Sequence, residues 1–418
     1  MAVTVVRQRG LAFVKWIERR LALGDLSIQP EGDPVIASLF VDDGMPGINP
    51  MRLHQPHWGH KPEVPNAVVA EFADLVERED LAGKFSVVPY PLGLGRIDQE
   101  IPGVSERVVN EFLDIVRGRL AGRFDFTPEV VTHGPAIDPV TRFITHLTEK
   151  EWGADASASE WREYIRMAFT LFANVGLTPG GVTSPWDTAI ENEDPYARGL
   201  VAAGSGFGVD VSFYFLHMAR SVEEAMPEVR VWQPGSDGLS PRAAVSLKCA
   251  GFDPLWPTQY GKGPKVDPLV TAGGGDGILT ALGDVGAPMV VGTHWQSLYG
   301  NGARRAPEVV ADIAHRLRDR YGRRLTWWSA GKMARFAAGA YAAKIETTRD
   351  GEVFLELPLA LESAHVRFLP SRGVRLRVNM PQRENARTWE VNDGGELTIQ
   401  GDLSGRVTIA DLDSSVVS

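Results

Sequence analysis

Two adjacent carboxylates, Asp42 and Asp43, close the apolar run "VIASLFVDDG" and are followed at once by Gly44. Neighbouring side chains leave a strand end in different directions, so such a pair can divide two tasks, one acid holding a divalent ion and the other accepting a proton. Two further strand-like runs end on residues able to do chemistry: "VVTHGPAID" carries His133 and Asp138, and "VVGTHWQSLYGNG" carries His294, with Trp295 and Tyr299 just beyond it. Mixed Asp and His donors with an open position suit a water-activating metal site. Each piece also has a plainer use. Asp-Asp-Gly can end a strand in a turn, because Asp accepts local backbone hydrogen bonds and Gly takes positive φ, and a single histidine can sit in a core. The meeting of all three strand ends favours a site.

A second group of histidines follows the acids: "RLHQPHWGHK" spaces His54, His57 and His60 three residues apart. Pro56 argues against a regular helix that would align the imidazoles, so this stretch is expected as a loop lining a pocket, with His57 and His60 on the substrate side. Trp186, Trp256, Trp295, Tyr260 and Tyr299 lie in or beside expected loops. Flat aromatic faces at a pocket suit sugar rings. The glycine-rich stretches "AAGSGFGVD" and "TAGGGDGIL" lack both the phosphate-loop lysine pattern and the dinucleotide spacing and are expected as ordinary loops.

The elements that must position these residues can be read from periodicity. From about residue 35 to 340, short apolar runs alternate with helix-period segments: "VIASLFV", "KFSVVPYPL", "FTPEVVTHG", "VDVSFYFLH" and "GAPMVVGTHW" read as strands. Between them, "NAVVAEFADLVERED", "SERVVNEFLDIVRGRL", "SASEWREYIRMAFTLFANVG" and "APEVVADIAHRLRDRYG" read as helices, with Ser105 as an N-cap and Pro307 near a helix start. Such alternation implies parallel strands covered by helices, with sites at the strands' carboxyl ends. Beyond residue 345 the period becomes two, with hairpin signals at Asp350-Gly351 and Asp393-Gly394. The expected organisation is an α/β domain over residues 1–340 and a small all-β, sandwich-like appendage over 341–418.

Composition narrows the partners. The 418 residues are 44% hydrophobic and 23% charged, enough for a sizeable core, and the formal net charge of −10 opposes a phosphate-backbone partner. With Cys249 as the single cysteine, a metal must be held by histidine and carboxylate. The charged N-terminal stretch lacks a secretory pattern and no apolar run reaches about 18 residues, so the expectation is a cytoplasmic protein with no membrane span. It is a candidate homo-oligomer with a small-molecule or carbohydrate substrate.

The motifs, taken in order, resemble those of the polysaccharide deacetylase (NodB-like) superfamily. "SLFVDDG" is similar to its strand-end Asp-Asp-Gly, followed by "THG", the Pro-aromatic turn "TSPWD", the late "VVGTH" and "TWWSAGKMARFAAG", over about residues 33–340. The resemblance implies a distorted (β/α) barrel that uses a metal, here zinc, to hydrolyse N-acyl bonds. It implies Asp42 as catalytic base, Asp43 and His133 as metal ligands, and His294 as the acid that protonates the leaving group. The sequence departs from the pattern at Ile137, where a second histidine ligand is usual, leaving Asp138 as the expected substitute, and at Thr183, where an arginine usually restrains the base.

The expectation is therefore a metal-dependent hydrolase of an N-acyl carbohydrate or another C–N-bonded substrate, with Trp186, Trp295, Tyr299, His57 and His60 binding substrate. Two other readings of the same residues are a metal-independent glycoside hydrolase, pairing Asp42 or Asp43 with Asp138 or Asp187, and a non-catalytic carbohydrate-binding barrel.

Overall fold

The strand Val35–Gly44 is buried along its whole length, which explains why its sequence is a continuous apolar run rather than an alternation. In the computed structural model, which describes residues 17–21, 24–54, 57, 59–219, 221–236, 239–251, 253–347, 352–370, 386–391 and 397–411, this strand is the centre of a parallel sheet. It pairs in parallel with Gly83–Val87 on one side and with Met289–His294 and Leu325–Trp327 on the other. Gly83–Val87 in turn pairs in parallel with Phe124–Pro128.

A second sheet contains Gly181–Thr183, Val211–Ala219 and Arg242–Ala250, again parallel. Isolated parallel bridges, Phe126 to Pro179 and Glu129 to Thr183, join it to the edge of the first. The strands thus follow one another around an arc in chain order, as strand–helix repeats require. The distorted barrel that the resemblance implies is not closed here: among the described residues no ladder joins Arg242–Ala250 to Met289–His294. The two still approach closely, since a Cβ at Gly292 would lie 3.2 Å from Cys249 Sγ.

Helices form where the periodicity places them, over Asn66–Glu79, Glu106–Ile115, Ala158–Asn174 and Ala306–Tyr321. The third opens with a reciprocal capping box between Ser157 and Glu160. Ser105 stands at the N-cap of the second, though its side chain makes no capping hydrogen bond. The strand Arg242–Ala250 was not expected, because Arg242, Ser246 and Lys248 interrupt its apolar character. No helix among the described residues is long and apolar enough to cross a membrane.

The described residues divide into two compact units, the larger lying within residues 35–231 and 243–334 and the smaller within residues 17–34, 232–242 and 335–411. The smaller unit holds an antiparallel sheet in the order Ile17–Leu21, Gly24–Pro30, Glu352–Pro370, Leu397–Asp411, Ala386–Val391, with Lys344–Thr347 also on Glu352–Pro370. A boundary drawn at 340/341 therefore omits the N-terminal strands. Glu352–Pro370 needs a partner on each edge, and Gly24–Pro30 supplies one of them. Among the described residues this is one sheet rather than a sandwich. The hairpin signals at 350–351 and 393–394 lie outside the described residues.

Candidate active site

Asp42 and Asp43 reach the same cavity because the strand end is irregular. Val41 pairs with Phe85 and Gly44 with Val87, so the strand carries an extra residue against its neighbour, and Asp43 takes φ 66°. A bulge of this kind re-aims a side chain that simple alternation would send away. Gly44 is required next, since a Cβ there would overlap the Ser86 carbonyl oxygen. Val130 (φ 40°), His133 (54°), Trp186 (50°) and Asp187 (57°) also hold left-handed backbone at this end of the sheets. Such strain costs on the order of 1–3 kcal/mol per residue and clusters at functional sites.

Asp42 is ion-paired with Lys84, a fully buried lysine and the second residue of Gly83–Val87. The Lys84 ammonium also donates to Thr183 Oγ1 at 2.6 Å, and Thr183 Oγ1 lies 2.9 Å from Thr127 Oγ1. The restraint on Asp42 that Thr183 was expected to leave missing is thus present, supplied from another strand.

Asp43, Glu129 and His133 form the one group of metal-type donors among the described residues, with ligand atoms all within 4.8 Å of one another. His133 Nε2 lies 2.9 Å from Asp43 Oδ1 and 3.8 Å from Glu129 Oε1. A tetrahedral ion with bonds of about 2.0–2.1 Å separates its donors by roughly 3.3 Å, between these two values. Gln296 Nε2 donates to Asp43 Oδ2 at 2.6 Å, while Ser86 Oγ and the Asp43 backbone N–H donate to Glu129 Oε2 at 2.6 and 2.7 Å. Each carboxylate therefore keeps one oxygen facing the histidine.

Electrostatics match that geometry. Burial alone would raise the Asp43 carboxyl, yet the charge and hydrogen bond of His133, helped by His294 and Gln296, hold it well below the usual range. Burial would depress His133, but Asp43 and Glu129 raise it to about 9. Burial first, and then the repulsion of Asp43 and Asp42, push Glu129 up to about 8. A divalent cation would relieve that repulsion, so the donor set fits a metal.

The loop bearing His133 is clamped by Glu149, which is fully buried. The backbone N–H groups of Val131 and Thr132 donate to its Oε1 and that of His133 to its Oε2, all at 2.9 Å, and Tyr164 donates its hydroxyl at 2.7 Å. At the end of the neighbouring strand, His294 Nδ1 meets Asp253 Oδ2 at 2.9 Å, and Thr293 Oγ1 donates to Asp253 Oδ1 at 3.0 Å. Burial would lower the His294 imidazole, but the hydrogen bond to Asp253 and the nearby charges of Asp43 and Asp42 raise it to about 10. Its side chain is 35% exposed, open to the cavity.

Asp42, Asp43, Glu129, His133 and His294 all line one cavity of about 620 Å³, together with Trp186, Phe215, Met218 and Trp256. Trp186 meets the His133 ring edge-on at 4.6 Å between centroids, and Trp256 meets His294 at 5.1 Å. Other expected residues lie elsewhere. Asp138 does not turn inward: its Oδ1 accepts the backbone N–H groups of Val140 (2.9 Å) and Thr141 (2.6 Å), closing an exposed turn. Trp295 is fully buried between Phe85 and Phe112, a core residue. Tyr299 is buried away from the cavity lining, with the Lys61 ammonium 5.8 Å from its ring. His57 is exposed and His60 is buried against Tyr260, neither lining the cavity. Residues 55, 56 and 58 of that stretch are outside the described residues.

The sequence reading missed Lys84, Glu129, Glu149 and Asp253. Two carried a visible signal. Lys84 interrupts an apolar strand run, where a charge is costly unless paired, and Glu129 precedes His133 by four residues in "PEVVTHG". Asp253 follows a strand that itself went unrecognised.

No protein-family model and no curated protein matches the chain. Among solved structures it is similar to one described as a polysaccharide deacetylase from Mycobacterium smegmatis, at 14% identity and TM-score 0.38, covering 77% of this chain and 97% of that one. It is also similar to one described as a glycoside hydrolase/deacetylase from Parabacteroides distasonis, at 8% identity and TM-score 0.41 over 84% of each chain. A third is a mutant of a CE4 family pseudoenzyme with restored enzymatic activity, at 8% identity and TM-score 0.32, covering 72% of this chain and 68% of that one.

Proposed function

We propose that this chain is a metal-dependent hydrolase that cleaves an N-acyl bond on a carbohydrate, releasing a carboxylate and a free amine. The observation that carries the reading is the shared cavity, lined by a donor triad, an ion-paired carboxylate and a carboxylate-held imidazole.

Asp43, Glu129 and His133 would hold a divalent ion, with zinc the first expectation for two carboxylates and an imidazole. Bound there, such an ion would polarise an acyl oxygen and acidify a water. Asp42, held beside Lys84, accepts the proton of the attacking water. His294, kept protonated by Asp253, gives its proton to the leaving nitrogen as the C–N bond breaks. One C–O bond forms, one C–N bond breaks, and the two proton transfers balance. Trp186, Trp256, Phe215 and Met218 give the cavity walls apolar faces against which a sugar ring can lie.

The alternative pairing of Asp42 or Asp43 with Asp138 has no geometric support, because the Asp138 carboxylate closes its own turn. The test is incubation of zinc-loaded and chelator-treated protein with fully N-acetylated chito-oligosaccharides, following released acetate and new reducing ends separately. Acetate from the zinc-loaded form alone supports the reading. New reducing ends without acetate identify a glycoside hydrolase, and neither product with no bound metal leaves a binding protein.

A further inference from the structure

Lys84 is fully buried, yet it does not line the cavity. Its ammonium donates to Asp42 and Thr183 and sits 5.3 and 5.2 Å from the ring centres of Phe40 and Phe215. An ammonium enclosed in this way is tolerated only where charge and hydrogen bonds compensate it. We infer that Lys84 is the positioning residue of the site: it holds the Asp42 carboxylate in place and aimed into the cavity, without touching the substrate. This rests on the hydrolase reading above.

The need for such a cation follows from what surrounds Asp42. Asp43 is its chain neighbour, Glu129 lines the same cavity, and the imidazoles of His133 and His294 already face Asp43 and Asp253. Among the described residues Lys84 is the hydrogen-bond and ion-pair partner of the Asp42 carboxylate, so without it that carboxylate is free to swing out of line with the cavity. Lys84 holds it from behind. Thr183 fixes the ammonium in turn, and Thr127 fixes Thr183, so a line of contacts runs from Val35–Gly44 through Gly83–Val87 to Gly181–Thr183 and Phe124–Pro128. A rigid four-strand support suits a positioning role, since small misplacements of a catalytic group cost rate steeply.

The test uses the zinc-loaded full chain and the variants Lys84→Met, Lys84→Arg, Asp42→Asn and the double variant Asp42→Asn/Lys84→Met. Bound metal, Tm, and kcat and KM for acetate release from N-acetylated chito-oligosaccharides are measured for each. Lys84→Met is expected to keep its metal, to lose roughly 5 °C in Tm, and to lose roughly 10²-fold in kcat with KM little changed. Lys84→Arg is expected to return part of kcat. The double variant is expected to regain most of the lost Tm, because the buried carboxylate no longer carries a charge. Additive Tm losses overturn the inference, as does a wild-type kcat in Lys84→Met when Asp42→Asn is inactive. Should the parent protein release no acetate, the hydrolase reading fails separately, and the Tm cycle alone judges the pairing: coupling supports it and additivity overturns it.

Discussion

Glu129 and His133 stand four residues apart across the exit of one strand and bring Oε1 and Nε2 to 3.8 Å without any helix between them. On a helix that spacing would be automatic. Here it depends on left-handed backbone at Val130 and His133 and on the Glu149 carboxylate that gathers the intervening N–H groups.

The donor triad sets the first expectation. Glu129→Ala should lower zinc affinity by more than the roughly 10–100-fold that loss of an outer hydrogen-bond partner costs, whereas Asp138→Ala should leave it unchanged. Competition titration against a chromogenic chelator checks both. Equal losses in the two variants would mean that the loop rearranges to bring Asp138 in.

Glu149 carries the second. Its replacement by alanine strips the buried N–H groups of Val131, Thr132 and His133 of their acceptor. Each such group left unsatisfied costs about 1–3 kcal/mol, so urea unfolding should show a loss of at least about 3 kcal/mol. The residual folded protein should bind zinc more weakly although no donor has changed.

A pH signature follows from Asp253. Against burial, which would lower the imidazole, its hydrogen bond and charge together with the charges of Asp43 and Asp42 raise His294 from 6.5 to about 10, so the imidazole is protonated below that value and loses its proton as pH rises through it. The acid contribution to kcat should therefore persist on the alkaline side. In Asp253→Asn the alkaline limb of the kcat profile should move down toward 6.5. An unmoved limb would remove His294 from the acid role.

Gly83 offers a test of the sheet itself. It faces Leu39 in the parallel register, and a Cβ there would overlap the Leu39 carbonyl oxygen. Gly83→Ala should cost about 1–3 kcal/mol by forcing the two strands apart, read as a lowered Tm. Because Lys84 is the next residue, acetate release should fall with it.

Much of the site was legible because its chemistry sits at strand ends. Asp42, Asp43, His133 and His294 each follow an apolar run, and all of them line the cavity. What periodicity could not show is the partnership across strands. The link of Lys84 to Asp42 spans 42 residues and that of Gln296 to Asp43 spans 253, distances over which sequence spacing carries no information. Asp138 misled because its neighbours Pro139, Val140 and Thr141 form a turn that satisfies its carboxylate locally, which outweighs any distant ligand role. The helices were readable from their apolar faces. The N-terminal strand Gly24–Pro30 was not, since its partner Glu352–Pro370 comes more than three hundred residues later.

Asp42 and His294 are register partners in adjacent parallel strands. The separation of the two groups that would move protons is therefore fixed by a backbone ladder at the heart of the sheet, whereas His133 hangs on a clamped loop. Warming such a molecule should loosen these in sequence: the loop frays first and releases metal, and the Asp42–His294 spacing survives until the sheet melts. Heat-treated, metal-depleted protein that is cooled before that point should recover on adding zinc, with the memory of its active geometry kept in the strands.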